Sequence, residues 1–190
     1  MKQIAIVALM LNLGVAGINA QQKDVRMTFS GSTAASTLSL QAGTITDEEH
    51  FTGRGTLGRF TFRQLRADVS PFSGEPPNTC SPPSRRYFPV ERGGGVFHFQ
   101  NGSLLKVVIT GGAYCIDLTD LMAPVGNLTV TYQITGGTGR FQGASGTLKL
   151  NSRLSPVAAD NSARLLTNTG TFEGTVFGVA IDDDRDNEWQ

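Results

Sequence analysis

Asn127-Leu128-Thr129-Val130-Thr131-Tyr132-Gln133-Ile134-Thr135 alternates without a break. Leu128, Val130, Tyr132 and Ile134 fall on one side and the Asn, Thr and Gln residues on the other, the period of a strand with one buried face. Weaker versions of this pattern recur at residues 24–30, 37–41, 55–66, 96–100, 103–110, 146–153 and 165–180, rich in Thr, Val, Phe and Leu. Only residues 116–122 and 158–166 have the spacing for a short helical turn. Gly or Asn-Gly separates the runs, and Asn101-Gly102 is the strongest hairpin signal, since a two-residue turn requires positive φ. About eight short strands joined by tight turns predict an all-β chain folded as a single antiparallel β-barrel or sandwich.

Six of the eight prolines lie between Pro71 and Pro89, followed by Gly93-Gly94-Gly95. Proline cannot donate to a ladder, so residues 71–95 are expected to form a Pro-rich surface loop inserted in the sheet. Before the first strand, Lys2 leads into an apolar run over residues 4–11 and 13–18 that ends on Ala20 before Gln21. That order describes a secretory signal peptide over residues 1–20, cleaved after Ala20, with the barrel domain at 21–181 and an acidic tail at 182–190. The expected location is secreted or periplasmic. In that oxidising setting Cys80 and Cys115, the only cysteines, are expected to pair as a disulfide.

Sixteen basic and sixteen acidic side chains balance, which removes the clustered positive excess a nucleic-acid surface needs. No segment after residue 20 is long and apolar enough for a membrane span. Gly53-Arg54-Gly55-Thr56-Leu57-Gly58 fits a dinucleotide fingerprint in letters only, because Arg59-Phe60-Thr61-Phe62-Arg63 reads as a strand and not as the helix that fingerprint needs. Two histidines, His50 and His98, are too few for a His-rich metal site. The acidic tail lacks the glycine and Glu spacing of a calcium loop and reads as a solvated tail. No cofactor and no metal are expected. Asn101 and Asn127 open N-glycosylation sequons.

Gly136-Gly137-Thr138-Gly139-Arg140-Phe141, continuing to Gly146, is a glycine-rich structural corner after the Asn127 strand, where Phe141 can seat the bend against the core. This run resembles the GGTGxFxxAxG signature of the allene oxide cyclase and dirigent barrel superfamily and its secreted bacterial relatives. Leu57-Gly58-Arg59-Phe60-Thr61, Phe99-Gln100-Asn101-Gly102-Ser103-Leu104 and Gly170-Thr171-Phe172-Glu173-Gly174 are similar to pieces of those relatives, so the likeness covers roughly residues 55–180. The resemblance implies an eight-stranded barrel that encloses a cavity, and it transfers no catalytic set.

Two lumen readings stay open at this level. If the phenylalanines face outward, Arg59, His98 and Glu173 become polar ligand-binding candidates inside the barrel; if the phenylalanines fill it, those three meet solvent. The leading functional expectation is a secreted barrel that binds a small, partly apolar ligand. The alternatives are an isomerase, cyclase or dirigent-like stereochemical guide, and an extracellular structural scaffold.

Overall fold

The computed structural model describes residues 21–69, 80, 84–120, 124–157 and 164–180. The expected signal peptide, the acidic tail and most of the proline cluster lie outside them. The described residues form eight strands: β1 (Gln21–Ala35), β2 (Thr44–Gly55), β3 (Gly58–Val69), β4 (Ser84–Phe99), β5 (Leu104–Asp117), β6 (Val125–Gly137), β7 (Ser145–Pro156) and β8 (Leu166–Val179). Each pairs antiparallel with the next, and β8 closes on β1 to make a barrel with strand order equal to chain order. Closure leaves no edge strand to protect. The β2–β3, β4–β5 and β6–β7 turns lie at one end and the longer connections at the other. Among the described residues no helix is long and apolar enough to cross a membrane.

Phenylalanines fill the lumen. Phe29, Phe51, Phe60, Phe62, Phe97, Phe99, Phe141 and Phe172 are all buried in one cluster with Met27, Leu105, Val130, Tyr132 and Leu150. Phe172 stands at its centre, with ring centroids 4.9 Å from Phe97, 5.0 Å from Phe29 and 5.2 Å from Phe62. The glycine corner between β6 and β7 is a single 3-10 turn, Gly139–Phe141, and its Phe141 is fully buried 4.8 Å from Phe99. Arg140 lies over both rings and donates to the Leu57 carbonyl, tying the corner to the β2–β3 turn. Gly136 and Gly139 take positive φ there. Asn101 and Gly102 form the β4–β5 turn as expected, with Gly102 at φ +80°.

Three expectations need correction. The inserted loop does not extend to Gly95, because β4 begins at Ser84 and takes in Pro89 and the three glycines. Pairing with β3 stops at Val90, so Pro89 has only β5 beside it and its missing N–H breaks no ladder on the other flank. Gly95 is a strand residue for a packing reason: a Cβ there would stand 2.6 Å from the Phe62 ring. The second correction is that residues 37–41 hold bends and no strand, while the strand lies at β2, whose Asp47-Glu48-Glu49-His50 hides its alternation. The third is that residues 116–117 end β5 and residues 118–120 do not form a helical turn.

Cys80 and Cys115 are joined as expected, with Cα atoms 5.7 Å apart. The bridge sits on the outer wall in a small cluster with Ala113 and Tyr87, separate from the lumen. Its sequence separation of 35 implies a contribution of roughly 3–4 kcal/mol in the chain-entropy view. Chemical denaturation of the Cys80→Ala, Cys115→Ala double variant is expected to show a loss of that order.

Candidate functional site

The lumen changes character at the long-connection end. On β3 the inward column runs Phe60, Phe62, Gln64, Arg66, Asp68, and on β2 it runs Phe51, Glu49, Asp47. All five polar members of these columns are buried, and Glu49 and Arg66 are fully so. The β2–β3 register sets Asp47 directly beside Arg66. Arg66 uses every edge of its guanidinium: Nη1 lies 2.8 Å from Glu49 Oε1, Nη2 is 3.0 Å from Asp47 Oδ2, and Nε is 2.9 Å from Asp68 Oδ1. Arg164, just before β8, places Nη2 3.0 Å from the other Asp47 oxygen and is itself half exposed.

Behind this cluster the polar groups satisfy one another. Gln64 donates to Glu49 and accepts a 2.8 Å bond from the Tyr132 hydroxyl. Across the lumen Ser152 donates to Asn168, which donates to Thr33, and Thr33 also bonds Glu49. A buried charge without such partners would cost several kcal/mol.

In front of the cluster lies a partly enclosed cavity of about 300 Å³ lined by Asp47, Asp68 and Arg164 with Tyr114, Phe88, Ile45, Ile116 and Leu166. Two strand irregularities place its walls. Register shifts in β4 between Val90 and Arg92 and in β5 between Ile109 and Gly111 reverse the side-chain alternation. Beyond those points Phe88, Tyr114 and Ile116 face the lumen, and Tyr87 and Cys115 face outward beside Cys80. Gly126 on β6 makes room for this turn of the wall, because a Cβ there would run into the Tyr114 ring.

Burial dominates the titration of the cluster. It pushes the Asp68 carboxyl up to about 7, with Arg66 opposing and Asp47 and Glu49 reinforcing the rise. Burial likewise raises Glu49, again against the pull of Arg66. The Tyr114 phenol is pushed up to about 12 by burial, so it stays neutral and can donate a hydrogen bond. Near neutral pH Asp68 can hold or release a proton beside an apolar cavity, the property of a general acid or base. Among the described residues no group of three or more His, Cys, Asp or Glu side chains is arranged to hold a metal ion; the guanidinium occupies the centre of the acidic cluster.

Arg59, His98 and Glu173 are elsewhere. All three are exposed on the outer wall, because the phenylalanines that alternate with them fill the barrel. Arg59 and His98 border a shallow outer groove, and Glu173 stands 3.8 Å from the exposed Arg26, a pair of little energetic weight. Of the two lumen readings the solvated one describes them. Sequence reasoning missed Asp47, Glu49, Arg66, Asp68, Tyr114 and Arg164. The signal for two of these was present: Gln64, Arg66 and Asp68 continue the Phe60 and Phe62 face.

No protein-family model matches the chain, and no curated protein matches it. Among solved structures, the chain is similar to a pterocarpan synthase dirigent protein at 12% identity, with 92% of this chain and 99% of that chain covered and a TM-score of 0.46.

Proposed function

We propose that this barrel is an exported protein that binds a small, partly apolar molecule in the Asp68–Tyr114 cavity. One observation carries the reading: among the described residues the lumen side chains join in one buried apolar cluster, and at the long-connection end a cavity remains where apolar walls meet a buried carboxyl and a neutral phenol. Ligand sites commonly combine such walls with a few fixed polar groups in about 300–1,000 Å³. The burial-raised Asp68 favours a second reading, an isomerase or dirigent-like guide in which Asp68 moves a proton on a substrate oriented by the walls.

Incubation of the purified protein with lipid and aromatic extracts, with mass spectrometry of bound and converted species, separates these. Retention of an unchanged compound, lost in Ile116→Trp and kept in Arg59→Ala and His98→Ala, is the expected result. Conversion that disappears in Asp68→Asn selects the second reading. Neither retention nor conversion overturns both and leaves the barrel as a scaffold.

A further inference from the structure

We infer that the molecule taken by the cavity is an organic cation, a protonated amine with an apolar body whose ammonium group meets Asp68. This rests on the small-ligand reading above and names the ligand class. Three carboxylates, Asp47, Glu49 and Asp68, face two guanidiniums, Arg66 and Arg164, so the ionised cluster carries one surplus negative charge.

The contacts fix where that charge sits. Glu49 is fully buried behind the cavity, bonded by Gln64 and paired with Arg66. Asp47 is bracketed by both guanidiniums, one on each oxygen. Among the described residues Asp68 has a single cationic neighbour, the Arg66 Nε, and it lines the cavity. Of the two carboxylates on the cavity wall, Asp68 is therefore the less compensated. A second feature points the same way: Phe88 and Tyr114, with ring centroids 5.6 Å apart, line the cavity beside that carboxylate, and the Tyr114 ring already has one cation, the Arg66 guanidinium, 5.8 Å from its centroid. A cation is attracted to both. An anionic ligand would add to the surplus, and Arg164 is already engaged by Asp47.

Without a ligand a proton fills the same role, so amine and proton compete. Among the described residues the charged and titratable groups around Asp68 are Arg66 on its own strand, Asp47 and Glu49 on β2, Tyr114 on β5 and Arg164 before β8, and β4 meets it with the apolar Val90. Competition with a proton held near pH 7 lowers amine affinity by about tenfold for each pH unit below 7 and leaves it level above.

Calorimetric titration of the full protein at pH 8 with 2-phenylethylamine, 2-phenylethanol and phenylacetate tests this. The amine is expected to bind at least about tenfold more tightly than the alcohol, with phenylacetate weakest. The amine advantage is expected to vanish in Asp68→Asn. The pH series on the unaltered protein gives the same answer independently of how that variant folds. Tighter binding of the alcohol or of phenylacetate overturns the cationic class and leaves the small-ligand reading standing. Amine binding indifferent to pH and to Asp68→Asn places the amine elsewhere and also overturns it. If none of the three binds, the cationic class falls, and the extract experiment above decides the wider reading.

Discussion

Replacing Arg66 with Met is expected to lower folding stability by about 3–5 kcal/mol near pH 8, because it leaves Asp47, Glu49 and Asp68 buried together without their shared cation. The loss is expected to shrink toward pH 5, where the crowded carboxyls take up protons and the uncompensated charge disappears. The unaltered protein is expected to show a weaker form of the same trend. Asp68 has its folded-state value raised from 3.8 to about 7, so the folded state binds a proton that the unfolded state has already lost between those values. This group's contribution is therefore fully present below about pH 4, declines as pH rises to 7 and is level above. Urea denaturation of both proteins at pH 5 and pH 8 measures each effect. A pH-independent loss, or one under about 1 kcal/mol, would mean that the three carboxylates do not depend on Arg66.

Phe172→Ala is expected to cost a similar 3–5 kcal/mol for a different reason. Its fully buried ring touches Phe29, Phe60, Phe62, Phe97 and Tyr132, which come from β1, β3, β4 and β6. Strands held in a closed ladder have little freedom to collapse into the vacated space, and the cost of a large-to-small change grows with the cavity that remains, about 3–5 kcal/mol for a buried phenylalanine. Phe177→Ala on the same strand is the control: that ring is 45% exposed, and its loss is expected to change stability by no more than about 0.5 kcal/mol. Equal effects of the two substitutions would show that the phenylalanine cluster is not the core.

Much of the barrel is legible in the chain because strands with one buried face write their period into the sequence. β6 is the clearest case, and β7 and most of β5 share its pattern. The corner at Phe141 and the hairpin at Asn101-Gly102 are legible through glycine, whose conformations few other residues share. The candidate site is hidden by the features that build it. Asp47 and Glu49 face the lumen where apolar residues are expected, so β2 does not read as a strand. The shifts in β4 and β5 reverse the alternation before Phe88 and Tyr114, and a strict period of two assigns residues beyond them to the wrong face. Arg59, His98 and Glu173 stand out by polar character within aromatic strands, yet that alternation marks an outer wall once the rings fill the inside. Arg66 lies on the Phe60 and Phe62 face, and a buried arginine in that column implies carboxylates on its neighbours.

The most direct test of the cavity as the binding site is a residue-resolved NMR titration of the protein with 2-phenylethylamine and, separately, 2-phenylethanol. The account predicts that the largest shifts, with whichever probe binds, cluster on Asp68, Tyr114, Ile116 and Leu166 at the long-connection end. Shifts centred instead on Arg59 and His98 of the outer wall would contradict it.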